Sequence, residues 1–336
     1  MATTDLLNRP LRDLRISVTD RCNFRCVYCM PKEIFGANYP FLPHADVLTF
    51  EEITRLAGIF ASHGVEKIRL TGGEPLVRRN IEDLVAMLVG VEGIHDIAMT
   101  TNGSLLSAKK AQALKAAGLQ RITISLDSLD DTVFKSMNDV NFPVAKVLQA
   151  IDNAAGAGLS PVKIDMVVKR GYNADSILGM AEHFRGNGII LRFIEFMDVG
   201  NTNGWRMEDV VSAREILDTI DAKWPIEAVE PNYTGEVATR WRYRDGGGEF
   251  GIIASVTMPF CGNCTRVRLS ADGQLYTCLF GTRSHDFRAL LRGGASDDEV
   301  FSVLGRVWGN RADRYSELRS ENTAQLKKVE MSRIGG

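Results

Sequence analysis

The sequence predicts an α/β fold: an incomplete (β/α)6 barrel of the TIM type, closed by a smaller, β-rich C-terminal region. Three observations predict it. Six strand-then-helix units follow one another up to about residue 221, and that alternation implies a parallel sheet with right-handed crossovers. The polar and glycine-rich motifs fall at the C-terminal ends of those strands, where barrels keep their chemistry. Past residue 222 the alternation gives way to hairpin patterns. The chain therefore divides into residues 1–221, the partial barrel, and 222–336, a region that would cover its open side. An open, doubly wound sheet competes with the barrel, and periodicity alone does not separate the two.

Residues 14–18 alternate and form the first strand, running into a cysteine-rich loop. Thr49 and Glu52 make a capping box for a helix with Ile53, Leu56, Ile59 and Phe60 on its apolar face, ended by Gly64. A strand over 66–70 leads into Thr71-Gly72-Gly73-Glu74-Pro75, and Asn80 caps a helix over 81–89. Strands over 96–100, 121–126, 162–168 and 189–197 alternate with helices over 107–117, 144–157, 174–186 and 213–220. Further on, strands over 237–243 and 249–257 flank Asp245-Gly246-Gly247-Gly248. Strands over 266–270 and 274–278 flank Ala271-Asp272-Gly273, so both pairs read as hairpins. Ser296 and Glu299 open a late helix that carries Val300, Val303, Leu304 and Val307.

Composition narrows the classes. At 45% hydrophobic and 24% charged residues, the 336-residue chain is ordinary for a globular protein. A formal net charge of −2 gives no argument for nucleic acid or a membrane surface. No apolar run approaches the length of a membrane span, and residues 1–9 lack the apolar core of a signal peptide. The expected location is the cytoplasm, where thiols stay reduced. The six cysteines fall into two sets of three with none left over, which reads as metal ligation rather than disulfide pairing.

The first set, Cys22-x3-Cys26-x2-Cys29, lies within eight residues. A loop that tight presents three thiolates to one metal centre, whereas structural zinc closes itself with four ligands. A cubane cluster has four irons, so three cysteines leave one iron open for chemistry. The second set, Cys261-x2-Cys264-x13-Cys278, again has three members, with His285 as a conceivable fourth ligand of a zinc site. Cys264, Arg266 and Arg268 share one face of a strand by alternation. Two guanidiniums beside a metal ligand suit a polyanion, because arginine forks pair bidentately with phosphate oxygens. Arg15, Arg69, Lys163 and Arg192 sit on strands that should face the same cavity.

Together these motifs resemble the GTP 3′,8-cyclase family of radical S-adenosylmethionine (SAM) enzymes, which begin molybdenum cofactor biosynthesis. The resemblance runs from about residue 11 to 336. It rests on Asp20-Arg21-Cys22-Asn23-Phe24-Arg25-Cys26, Thr71 to Pro75, Arg192-Phe193-Ile194-Glu195-Phe196-Met197, Cys261-x2-Cys264-Thr265-Arg266 and Gly335-Gly336. It implies a [4Fe–4S] cluster on Cys22, Cys26 and Cys29, with Tyr28, Gly73, Ser125 and Met197 around SAM. It implies a second [4Fe–4S] cluster on Cys261, Cys264 and Cys278, whose open iron meets guanine. Arg15, Arg69, Thr100, Lys163, Arg266, Val267 and Arg268 would bind GTP, and we add Arg192 by its strand position. Gly335 and Gly336 would reach the active site, with Arg333 joining the substrate's polar contacts. The implied reaction removes hydrogen from ribose C3′ and joins C3′ to guanine C8. A homodimer, an unidentified electron donor and a product handed to the next pathway enzyme are further expectations. A peptide-modifying radical SAM enzyme and a zinc-binding module without catalysis are the rivals.

Overall fold

The computed structural model describes residues 2–320 and 326–336. Strands and helices alternate from the start: β1 (Asp13–Ser17), α1 (Phe50–Ser62), β2 (Lys67–Thr71), α2 (Ile81–Val89), β3 (Asp96–Thr101), α3 (Ala108–Ala116) and β4 (Arg121–Ser125). Then follow α4 (Asp131–Asn138), α5 (Val144–Gly156), β5 (Val162–Val168), α6 (Ile177–Phe184), β6 (Ile190–Glu195) and α7 (Ala213–Asp221). The capping box of Thr49 and Glu52 forms, and Ser212 with Glu215 makes another at α7. Asn80 departs from its expected role. It sits at φ 55° and its side chain makes no capping bond, so it turns the chain into α2 instead.

From β1 to β6 each strand lies parallel to the next in chain order. Sequential order with right-handed crossovers puts every helix on the same side of the sheet. The helices accordingly contact their neighbours in one layer, α1 on α2, α2 on α3, α3 on α5 and α6 on α7. Leu14, Ile16, Ile68, Leu70, Met99, Ile122, Ile124, Ile164, Met166 and Phe193 point into this layer and are fully buried. The residues between them, such as Arg15, Arg69, Thr123 and Lys163, face the other way, because side chains alternate along a strand.

The C-terminal elements are β7 (Ile226–Val229), β8 (Thr239–Tyr243), β9 (Glu249–Ile253), β10 (Arg266–Leu269), β11 (Gln274–Tyr276) and β12 (His285–Asp286). The helices α8 (Phe287–Arg292) and α9 (Asp297–Gly309) and the single turn α10 (Met331–Ile334) complete the described chain. Here the expected architecture needs correction. Among the described residues the sheet has twelve strands in the order β12-β11-β10-β1-β2-β3-β4-β5-β6-β9-β8-β7, and its ends do not pair. The C-terminal hairpins do not lie across an opening as a separate layer. β10 adds in parallel beside β1, and β9 adds in parallel beside β6. Both edges of the six-stranded core carry unpaired N–H and C=O groups, and the C-terminal strands satisfy them.

Candidate functional site

The polar face of the sheet encloses a cavity of about 450 Å³. Register explains its charge. Arg15 lies opposite Arg69 on one side and Arg268 on the other, so three guanidiniums stand in adjacent strands on one face. Like charges placed directly opposite destabilise a sheet unless something offsets them. Arg69 donates to the hydroxyls of Thr100 (3.0 Å) and Thr123 (3.1 Å), both neutral. Arg192 is matched by Asp165 at 2.7 Å. Among the described residues, the Arg15 and Lys163 side chains have no hydrogen bond or ion pair within the chain. Burial, then Arg268, Arg69 and Arg266, holds the Arg15 guanidinium well below its usual value. Burial followed by Arg192 brings Arg69 down to about 10, and burial followed by Arg266 does the same for Arg268. Burial, then Arg192, Arg121 and Arg69, brings the Lys163 ammonium down to about 7. Guanidiniums stay protonated in proteins, so this wall calls for an anion.

The first cysteine loop follows β1. Cys29 and Met30 both donate their N–H to the Cys26 carbonyl at 2.9 Å, which curls the chain between Cys26 and Met30. Arg25 fastens the curl, donating to the carbonyls of Cys22 and Phe24 at 2.7 Å and of Phe35 at 2.6 Å. The loop docks on the end of α4, with Arg25 N–H on Asn138 (3.0 Å) and Val27 N–H on Met137 (3.1 Å). Burial and then Glu74 push the Cys22 thiol up to about 12. Burial, then Asp127 and the other two thiols, raises Cys26 well above its usual range, and burial with Cys22 raises Cys29. Thiols that burial and neighbouring negative groups hold protonated would ionise on binding a cationic centre.

Gly72 and Gly73 serve this loop directly. A Cβ on Gly72, which has φ +136°, would strike the Thr19 carbonyl, and one on Gly73 would strike that of Arg21. Gly73 N–H donates to Thr19 at 2.8 Å and Glu74 N–H to Arg21 at 2.9 Å. The glycines therefore let the β2 turn lie flat against the chain entering the cysteine loop. Tyr28, Ser125 and Met197 line the cavity, whereas Gly73 and the first three cysteines are not among its lining residues. The Tyr28 hydroxyl donates to Asp127 at 3.0 Å, and Ser255 reaches the Met197 sulfur at 2.8 Å.

Cys261, Cys264 and Cys278 line the same cavity together with Arg266 and Arg268. Burial raises the Cys264 thiol, but Arg266 and Arg311 outweigh it and bring the group down to about 7. Burial and Asp313 push Cys278 up to about 12. His285 does not join them: it is exposed on the edge strand β12. Among the described residues no three His, Cys, Asp or Glu side chains stand close enough to hold a single ion. In a polynuclear cluster each sulfur meets a different iron, so three cysteines need not share one ion.

The placement of three expected residues differs from that of the rest. Val267 is fully buried in the core, leaving only its main chain to meet a ligand. Arg333 does not line the cavity, because it pairs with Asp272 in the β10–β11 turn. Arg192 lines it but is already neutralised by Asp165. Gly336 lines the cavity as expected, and Arg268 donates to the Gly335 carbonyl. Gly335 has φ +75°, and a Cβ there would strike Thr71 at the end of β2. The sequence reading missed Arg311, Asp127 and Asp165. Asp127 gave some signal by lying just past the end of β4, whereas Asp165 sits mid-strand in β5 and Arg311 follows α9 with no motif around it.

A sequence profile described as the Radical SAM superfamily matches residues 16–184, and one described as Molybdenum Cofactor Synthesis C matches 189–317. Among solved structures, Streptococcus suis SuiB bound to S-adenosylmethionine is similar in fold, with a TM-score of 0.63 at 15% identity over 90% of this chain and 66% of that one. Fold, cysteine loop and profile thus define the class, a radical SAM protein. The GTP 3′,8-cyclase of Acidothermus cellulolyticus is 52% identical over 357 residues, covering 99% of this chain and 98% of that protein. That of Staphylococcus haemolyticus is 51% identical over 336 residues with the same coverage. The chain belongs to the GTP 3′,8-cyclase family.

Proposed function

We propose that the chain cyclises GTP to (8S)-3′,8-cyclo-7,8-dihydroguanosine 5′-triphosphate, the first step of molybdenum cofactor biosynthesis. The observation that carries this reading is the wall of Arg268, Arg15, Arg69 and Lys163. It lies in one cavity with Tyr28 of the first cysteine loop and all three cysteines of the second set. A peptide substrate would have no general need for so many cations, whereas a triphosphate matches them.

In this reading residues 1–221 form the radical SAM partial barrel, and residues 222–336 carry the second cluster and the Gly-Gly tail. Cys22, Cys26 and Cys29 would hold a [4Fe–4S] cluster that, when bound, supplies reductive cleavage of SAM to a 5′-deoxyadenosyl radical. Tyr28, Gly73, Ser125 and Met197 would surround SAM, with the Gly73 main chain as the group on offer. Cys261, Cys264 and Cys278 would hold a second [4Fe–4S] cluster beside the purine. Arg15, Arg69, Lys163, Arg266 and Arg268 would bind the phosphates, Thr100 would steady Arg69, and Gly336 would close the cavity. Arg333 then acts through Asp272, fixing the tail's path. A cytoplasmic homodimer that takes electrons from a separate donor and passes its product to the next enzyme completes the reading, resting on the family alone.

The test is anaerobic reconstitution with iron and sulfide, then SAM, dithionite and GTP, with products read by mass spectrometry. The expected product keeps the mass of GTP and forms alongside 5′-deoxyadenosine. Cleavage of SAM with GTP returned unchanged would overturn the assignment.

A further inference from the structure

The second cysteine set rests on two buried arginines from opposite ends of the chain. Arg9, before β1, donates to the Cys261 carbonyl at 2.8 Å and to the Asp313 carbonyl at 2.7 Å. Arg311, just beyond α9, donates through Nη1 to the Cys264 carbonyl at 2.8 Å and through Nη2 to the Cys264 Sγ at 3.3 Å. Its Nε donates to the carbonyl of Thr277, the residue before Cys278, at 3.1 Å, and contacts the Asp313 carboxylate at 3.3 Å. Asp5 joins the two guanidiniums, 2.6 Å from Arg9 and 3.1 Å from Arg311. The guanidinium of Arg311 also lies 4.5 Å over the ring of Trp308.

This arrangement is built rather than incidental. The Arg311 and Asp5 side chains are 1% and 0% exposed. Burying a guanidinium is unfavourable without full pairing, and here one plane of five donors is spent on both flanks of the cysteine set. Asp5 alone does not explain it, since Arg9 already neutralises that carboxylate at shorter distance. What remains to Arg311 is a positive charge and an N–H aimed at a sulfur that faces the cavity.

We propose that Arg311 is a positioning residue for the second cluster: it clamps Cys264 and the approach to Cys278 at ligating spacing, and it raises the cluster's reduction potential. The inference rests on the reading of Cys261, Cys264 and Cys278 as cluster ligands. A hydrogen bond to a ligand sulfur, and a nearby cation, stabilise the reduced state because that state carries one more negative charge. Holding the potential up keeps the second centre from competing with the first as the stronger reductant.

The experiment compares wild type, Arg311→Met and Arg311→Lys as full-length protein reconstituted anaerobically. Iron per chain, midpoint potential by one-electron titration followed by paramagnetic resonance, and iron release to a chelator are read for each cluster. Cys264→Ser identifies which signal belongs to the second set. Arg311→Met is expected to lower the midpoint of the second cluster and to speed its iron release about tenfold, leaving the first cluster unchanged. Arg311→Lys, which keeps the charge but cannot span sulfur and carbonyls together, should recover most of the potential and little of the retention. An unchanged midpoint and release rate in Arg311→Met, with about eight irons in wild type, overturns the inference alone. Only about four irons in wild type, none of them sensitive to Cys264→Ser, overturns the two-cluster reading and the inference with it. If circular dichroism shows Arg311→Met unfolded, Arg311→Lys decides: wild-type release from it overturns the clamp.

Discussion

Arg15 and Lys163 make the sharpest case at the level of single side chains, because each has a charge and no partner of its own among the described residues. A hydrogen bond to a charged group is worth roughly 1.5–3 kcal/mol, so Arg15→Ala should weaken GTP binding about ten- to a hundredfold. Binding of SAM should be unaffected, and calorimetry with each ligand checks both. An equal loss for guanosine would contradict a phosphate contact. Lys163 adds a pH signature. Free protein holds its ammonium down to about 7, and a bound polyanion must raise that value. Binding therefore takes up a proton above pH 7, and affinity should fall as pH rises through and beyond that point, by up to about tenfold per pH unit. Below pH 7 this contribution is flat. Lys163→Met should remove the slope, measured as the difference in proton uptake between two buffers.

Among the elements, the short turn at the end of β2 and the tail that meets it carry the next expectation. Gly335 lies in left-handed backbone with no room for a Cβ beside Thr71. Gly335→Ala should leave both iron contents and SAM binding near normal while cyclisation falls at least tenfold, since the tail can no longer lie under Arg268. Product formation by mass spectrometry reads it, and normal turnover would return the tail to an ordinary chain end. The same elements show how legible the site was. The strands and most helices were evident, because apolar spacing records which face is buried. So were the cysteine sets, whose spacing is a chemical constraint. The short helix α4, which docks the first cysteine loop, was not: Asp131–Asn138 holds only Phe134, Met137 and Asn138 as buried residues. Nor was the pairing of Arg333 with Asp272, or of Arg192 with Asp165. Charge pairs join distant positions without periodicity, so a sequence shows the cation but not its counter-ion. Nor did the sequence show that the glycines of the β2 turn admit the chain's own backbone at Thr19 and Arg21.

For the molecule as a whole, stability should respond to acid through His63, which ties the N-terminal residues to α9. Its Nε2 faces the Phe301 carbonyl at 2.9 Å, so that nitrogen carries the proton, and its Nδ1 accepts from the Thr3 hydroxyl at 2.7 Å. Burial, partly offset by Phe301, lowers its folded-state value below the usual 6.5. The unfolded chain thus binds a proton that the folded chain resists, and stability contributed by neutral His63 is lost as pH falls below about 6.5. Thermal melts between pH 7.5 and 5.5 should show that loss, and His63→Gln should flatten it. A sheet whose first strand waits for its partner has another consequence, one of timing. Asp13 in β1 pairs with Arg266 in β10, roughly 250 residues later. A chain growing from its N-terminus thus exposes the outer edge of β1 until synthesis is nearly over, and a bare edge of that kind recruits other chains. Closure of so long a loop is also slow. Chaperone dependence should therefore be set less by the large N-terminal portion, which makes its contacts locally, than by the interval before residues 266–269 arrive. Ribosome-stalled chains ending near residue 260 should aggregate on release, and chains long enough to seat β10 should not.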